Sequence, residues 1–118
     1  MDKSHSIMTR LKGLAAKACL LGIEETTYYG RPALKAGGKA FVWVKDDETI
    51  VLAVPVDAKE PLLMLAPDIY WETDHYRGWP ALPLRAAAIG DEELSMRLVE
   101  AWRFRAPKKL AAVFNNAG

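Results

Sequence analysis

The sequence predicts an α+β protein, a two-layer sandwich in which an antiparallel sheet is packed by helices from the two ends of the chain. Three observations carry this. Apolar residues recur every three or four positions near both termini, the period of an amphipathic helix. The middle of the chain alternates apolar residues at period two around short polar turns, the period of strands. The length of 118 residues, with 51% apolar and 26% charged, fits one ordinary domain spanning 1–118 with a core over about 5–111.

Residues 5 to 22 read as the first helix. Ile7, Leu11, Leu14, Ala18 and Leu21 share one face. Ser4 or Ser6 would cap its start and Gly22 would end it. Arg10 and Lys17 fall on the opposite flank, and the segment holds no acid. Cys19, the only cysteine, lies in this stretch and reads as a buried or semi-buried inert thiol. With one cysteine no internal disulfide can form. Lys17 interrupts the apolar run that a signal peptide would need, Asp2 precedes it and no A-x-A-like cleavage site follows, so a cytoplasmic setting is expected.

Thr26 to Tyr29 should be extended, with a turn at Tyr29-Gly30-Arg31-Pro32, a short strand at Ala33 to Ala36 and a reversal at Gly37-Gly38. Ala40 to Lys45 alternates, placing Phe41, Trp43 and Lys45 on one face and Ala40, Val42 and Val44 on the other. After the polar loop Asp46-Asp47-Glu48, Thr49 to Val54 completes a hairpin. Both hairpin faces are largely apolar. One must pack on helices, and the other is either covered or a binding surface.

Asp57 to Ala66 should hold a helix, either capped by an Asp57–Glu60 box with Pro61 removing a bond inside it or starting at Pro61 and very short, with Pro67 as its stop. Ile69 to Thr73 is a strand candidate, Asp74 to Gly78 a turn and Ala81 to Ala88 another strand. Pro80 and Pro83 put that strand at an edge, or bulge it. Asp91 should cap a helix to about Arg105, with Leu94, Leu98, Ala101 and Trp102 facing the core and Glu93 paired with Arg97. Pro107 marks a last helical turn, and Asn115 to Gly118 should fray.

Three segments resemble signatures of the MmcQ/YjbR-like family: Tyr29-Gly30-Arg31-Pro32-Ala33-Leu34-Lys35 followed by Gly38-Lys39-Ala40-Phe41; Thr73-Asp74-His75-Tyr76-Arg77-Gly78-Trp79-Pro80; and Ala101-Trp102-Arg103 followed by Ala106-Pro107-Lys108-Lys109-Leu110. The resemblance runs from about Leu11 to Leu110. It implies a frataxin-like (CyaY-like) fold, and members are often labelled DNA-binding because their hairpins have been likened to wings. Pro83 departs from the unbroken strand usual after the second signature. Frataxin-like iron binding leans on acids of the first helix, which this chain lacks, so no metal role is expected.

Sixteen basic against fifteen acidic residues give a net charge of +1, which excludes a strongly polyanion-seeking protein. Local charge is less even. Arg97, Arg103, Arg105, Lys108 and Lys109 stand against Glu100 alone. Cations neutralise phosphates and aromatic rings stack on bases. The nucleic-acid candidates are therefore Lys35, Lys39, Arg77, Arg103, Lys108 and Lys109 for phosphate, with Trp43 and Trp79 for stacking. The simpler alternative is a set of solvated faces.

The His75 to Trp79 turn concentrates an imidazole, a phenol, a guanidinium and an indole. It is either an aromatic plug on the core or the centre of a ligand- or protein-binding module using His75, Tyr76 and Trp79. No H-E-x-x-H, G-x-S-x-G, Walker or dinucleotide motif is present. The expectation is a non-enzymatic binding protein with no cofactor and no membrane association, binding DNA or, alternatively, a protein partner or small ligand.

Overall fold

A computed structural model describes residues 3–117, with the side chains of 5–113. The element order is α1 (Lys3–Lys17), β1 (Ile23–Tyr28), β2 (Arg31–Ala36), β3 (Lys39–Val44), β4 (Thr49–Ala53), α2 (Val56–Leu65), β5 (Ala81–Arg85), α3 (Asp91–Arg105) and α4 (Lys108–Ala117). The five strands form one antiparallel sheet in sequential order. Leu11 and Leu14 of α1 and Leu94, Leu98 and Trp102 of α3 share one core with Leu34, Val42, Ile50, Leu52 and Leu82 of the sheet. The α+β expectation therefore holds, with helices from both ends of the chain on the same sheet face.

The first helix starts at Lys3, ahead of both serines, and stops five residues short of Gly22. Its end is set by Cys19, which adopts a left-handed φ of 58°. The Leu20 N–H donates to Ala15 O at 3.2 Å and the Cys19 N–H to Ala16 O at 3.0 Å. That bond pair is a Schellman stop, which normally takes glycine at the left-handed position. Cys19 is exposed there, not buried. A Cys19→Gly variant should therefore gain about 0.5 kcal/mol, because relief of the left-handed strain exceeds the added unfolded-chain entropy. A thermal melt checks this; a fall in Tm would refute it.

The sheet contains one irregularity with consequences. Leu34 pairs with Val42 but Lys35 pairs with Ala40, so Phe41 has no partner. This bulge turns Phe41 into the helix-side core beside Val42, while Trp43 points to the far face. The expected sharing of a face by Phe41 and Trp43 is thus overturned by an extra residue that alternation alone does not reveal.

Two expected caps are absent. Asp57 and Glu60 form no capping box, since Pro55 occupies the cap position of α2 and no side chain bonds there. Gly90 rather than Asp91 caps α3. Asp91 instead accepts from Arg10 Nε at 2.6 Å, while the other Arg10 nitrogens donate to Ala86 O and Ile89 O at 2.8 and 2.7 Å. Arg10 thereby clasps the β5–α3 connection onto α1, although its helical position suggested a solvent flank. The Glu93–Arg97 pair forms at 3.7 Å. Pro107 precedes a ten-residue helix, not a single turn. Asn115 to Ala117 continue that helix, and Gly118 lies outside the described residues.

Ile69 to Thr73 is not a strand; only Tyr70 bridges to Leu84. The Trp71 N–H donates to Pro83 O at 3.2 Å, which shows that the polar edge of Pro83 faces outward from β4. A proline there costs β4 no bond. The final strand ends at Arg85 because residues 86–89 turn toward α3.

Tyr70 is 1% exposed. Its hydroxyl donates to Glu93 Oε2 at 2.6 Å and accepts from Arg97 Nε at 2.9 Å. Burial first, then the bond to the Glu93 carboxylate, pushes this phenol up to about 12 against the opposing pull of Arg97. A folded pKa above the unfolded one means that the contribution is complete below about pH 10 and is lost as pH rises toward 12. Tyr70→Phe should cost about 1–2 kcal/mol at neutral pH. Its deficit relative to wild type should shrink between pH 10 and 12, read by urea midpoints across that range. A deficit independent of pH would refute the assignment.

Candidate functional site

The far face of the sheet, away from α1 and α3, carries a second apolar cluster of Ala33, Trp43, Val51 and Ala81. The alanines are small, so the indole of Trp43 stands between them on an otherwise shallow surface. The β1–β2 connection brings further rings to it. Tyr29 and Gly30 both have positive φ, 53° and 77°, which gives the tight two-residue turn suited to a hairpin. Tyr28 and Arg31 then pair directly and lie on the same face. The Tyr28 ring sits 4.5 Å from Trp43 and 4.7 Å, edge-on, from Tyr29. Burial raises the Tyr28 phenol pKa, helped by the neighbouring Tyr29, so it stays a neutral hydrogen-bonding group near neutral pH.

The opposite wall is the loop after Tyr70. The Tyr76 hydroxyl and the indole N–H of Trp43 are 3.4 Å apart, and their rings 6.4 Å. His75 meets Tyr76 edge-on at 4.7 Å. Lys45 Nζ lies 5.8 Å from the Tyr76 ring centre, a cation–π distance. Thr73 starts the turn, taking bonds from the Tyr76 N–H on its hydroxyl at 3.2 Å and from the Arg77 N–H on its carbonyl at 2.9 Å.

One buried lysine holds this loop. Lys59 of α2 is 3% exposed. Its ammonium donates to Tyr76 O at 2.8 Å and Trp79 O at 2.9 Å and pairs with Glu72 at 2.9 Å. Three donors meet three acceptors, so a charged group is buried without an unsatisfied proton. Lys59 has no role in the sequence reading, since a lysine beside Glu60 on a short helix looks like solvated surface. The only hint is its place between Ala58 and Leu62, which pack on the core.

Between the two walls lies a cleft of about 680 Å³. Its lining adds Arg31, Lys45, Trp79 and Ala81 to the rings already described, and no carboxylate. That volume is in the range of small-molecule sites. Trp43 is its floor at 8% exposure, while Tyr29 at 90% and Trp79 at 61% stand open at the rim. Free stacking by Trp43 is therefore corrected: Tyr28 and Tyr76 already cover its ring.

The expected residues separate into groups. His75, Tyr76, Trp79 and Trp43 come together in the cleft. Lys35 lies on strand β2, 3.9 Å from Glu24, and Arg77 pairs with Asp74 at 3.1 Å. Neither lines the cleft. Lys39 lies elsewhere, just after the β2–β3 turn, and that turn abuts Pro107, which precedes Lys108 and Lys109 at the start of α4. A Cβ placed on Gly37 would lie 2.5 Å from Pro107 Cγ, so only glycine permits that approach. Arg103 is exposed in the last turn of α3. The sequence reading missed Tyr28, Tyr29, Arg31 and Lys45 as site residues. The Tyr28-Tyr29-Gly30-Arg31 run was the signal for the first three, since a two-residue turn forces Tyr28 and Arg31 onto one face.

Among the described residues no three His, Cys, Asp or Glu side chains gather as a metal site, and no helix is long and apolar enough to cross a membrane.

Comparison with known proteins places this architecture. A crystal structure of a Deinococcus radiodurans protein with a DUF419 domain superimposes with a TM-score of 0.66, covering 80% of this chain and 74% of that one at 14% identity. At that identity the likeness concerns the fold. Uncharacterized proteins of Mycobacterium tuberculosis and Mycobacterium bovis are 38% identical over 56 residues, 48% of this chain and 43% of theirs. The chain thus matches less than half the length of these relatives. The YjbR family model matches residues 19–104, a span that begins at the left-handed stop of α1, takes in the whole sheet and the cleft, and ends in the last turn of α3. With that span matched, the chain belongs to the YjbR family.

Proposed function

We propose that this protein is a non-enzymatic binding module that takes a small ligand in the cleft between the β1–β2 turn and the His75–Trp79 loop. The carrying observation is a concave aromatic site, floored by Trp43 and walled by Tyr28 and Tyr76, whose loop is fastened by the buried Lys59. A buried, satisfied ammonium that fixes loop carbonyls supports pre-organisation, which lowers the cost of ordering a binding surface. His75 is the single imidazole of the lining, the lining holds no carboxylate, and the neighbouring Asp74 pairs with Arg77 at 3.1 Å. Ligand-observed NMR with fragment-sized ring compounds should show binding to wild type and its loss in a His75→Ala, Trp79→Ala double variant of unchanged Tm. Equal binding to both proteins would sink this reading.

The basic corner favours DNA binding as a second reading. Gly37 packs on Pro107, so the turn that leads into Lys39 abuts the residue before Lys108 and Lys109, and Arg105 reaches Ala40 O, next to Lys39, at 3.4 Å. Labelled duplex DNA titrated at low and high salt tests it. Binding should fall steeply with salt, and a Lys39→Gln, Lys108→Gln variant should lower the salt slope by roughly one per lost phosphate contact. Absence of binding at low salt, or indifference to salt, would end it.

The helices of both chain ends on one sheet face support a frataxin-like reading of the sandwich. The exposed single thiol of Cys19 supports a cytoplasmic one.

A further inference from the structure

We infer that the cleft selects a planar aromatic ligand that carries an anionic group, a carboxylate or a phosphate, and rejects planar cations. The inference rests on the cleft being the binding site and adds the charge of its occupant. Clusters of aromatic rings commonly receive cations, because ring faces are electron-rich. Here the charged groups argue the other way. Arg31 and Lys45 line the cleft, and no acid lines it. Arg31 forms none of the ion pairs found among the described residues. Lys45 already stands over the Tyr76 ring, the place a cationic guest would take. A cation entering would meet two like charges with nothing to offset them.

The same residues suit an anion. A guanidinium presents a rigid fork that matches carboxylate and phosphate oxygens, and Arg31 is exposed at the rim to offer it. The Arg31 position is fixed by its pairing with Tyr28, one residue from the tight turn. Tyr29 and Trp79 leave ring faces uncovered at the same rim. A flat ring held against these faces would place a substituent within reach of Arg31 or Lys45. Ring contact supplies affinity that any planar guest shares. The two cations supply the discrimination.

The test uses four probes that share a planar aromatic ring and differ in charge: indole-3-acetate, adenosine 5′-monophosphate, uncharged adenosine and phenyltrimethylammonium. The readout is the movement of the Trp43 and Trp79 indole N–H resonances during titration of the intact chain. At least one anion should bind tenfold or more tightly than adenosine, and the ammonium should be the weakest. The two anions separate carboxylate from phosphate recognition. Arg31→Gln and Lys45→Gln should each lower the ratio of anion to adenosine affinity severalfold. Trp79→Ala should weaken anion and adenosine alike. Ammonium binding equal to or tighter than that of the anions, or charge variants with no effect, would overturn the inference while leaving the cleft as the site. Indole resonances unmoved by all four probes would overturn both.

Discussion

Trp102→Ala is expected to remove about 4 kcal/mol of stability, the largest loss available from one side chain of this fold. Trp102 is 0% exposed and belongs to the cluster that joins α1, α3 and the sheet. Its indole N–H donates to Leu21 O at 2.9 Å, across the connection that leads from the Cys19 stop into β1. Truncation would therefore do two things. It would open a cavity where three elements meet, and it would leave a carbonyl of the α1–β1 connection without its donor. Small domains hold a total of about 5–15 kcal/mol, so the variant should retain a minor part of it. In urea the midpoint should fall by about 2–3 M with the slope unchanged. Trp102→Phe keeps most of the buried ring and loses the bond, and should cost about half as much. Phe104→Ala, two residues on but 39% exposed, should cost under about 1 kcal/mol. A Trp102→Ala midpoint within 0.5 M of wild type would show that the helix layer does not depend on this ring.

Trp102 also illustrates what the sequence makes legible. Its spacing from Leu94, Leu98 and Ala101 puts it on the core face by periodicity alone, and the structure keeps it there. The reversal at Gly37-Gly38 was equally readable, because positive φ leaves a compositional mark, whereas the turn expected over Tyr29-Gly30-Arg31-Pro32 closes one residue earlier, between Tyr28 and Arg31, and Arg31 and Pro32 enter β2. Phe41 was not. A bulge adds one residue to one strand and inverts the alternation beyond it, and the clue lies in the partner strand, not in the run itself. Caps failed for a related reason. Asp57 and Asp91 are good capping residues in isolation, but Pro55 and Gly90 were better placed once the chain turned, and Asp91 was claimed by Arg10.

The site divides along the same line. His75, Tyr76 and Trp79 drew attention as a dense run of functional groups on a loop, and they do line the cleft. Their partners come from β1, β2 and β3, a relation that spacing along the chain does not express. The basic residues show the converse. Lys35, Arg77 and Lys39 look alike in a charge count, yet one pairs with Glu24, one with Asp74, and one sits at the Pro107 corner. Composition sums charges, whereas the fold distributes them.

Lys59→Met should free the cleft wall while sparing the sheet. Methionine matches the lysine stem in size, so packing between α2 and the loop survives and only the ammonium is lost. What remains is a carboxylate, Glu72, at 23% exposure, and two loop carbonyls that have lost their donor. Removing one partner of a buried pair costs about 3–5 kcal/mol when the other stays buried. Glu72 can rehydrate in part, which brings the expectation to about 3. The loop joins α2 to β5 and adds one bridge to the sheet, so it can open without global unfolding. The cost should therefore appear first as faster amide exchange at Tyr76, Arg77 and Trp79, by roughly a hundredfold, and only in part as a lower Tm. Glu72→Gln combined with Lys59→Met should recover some of the loss, because the stranded charge is gone, and the Glu72→Gln single variant completes the cycle that isolates the pair. Ligand binding in the cleft should weaken along with loop protection, since Tyr76 and Trp79 are held by the very carbonyls that Lys59 binds. Unchanged exchange in Lys59→Met would mean that the tilted contact of Tyr76 with Trp43, and not the buried ammonium, fastens the wall.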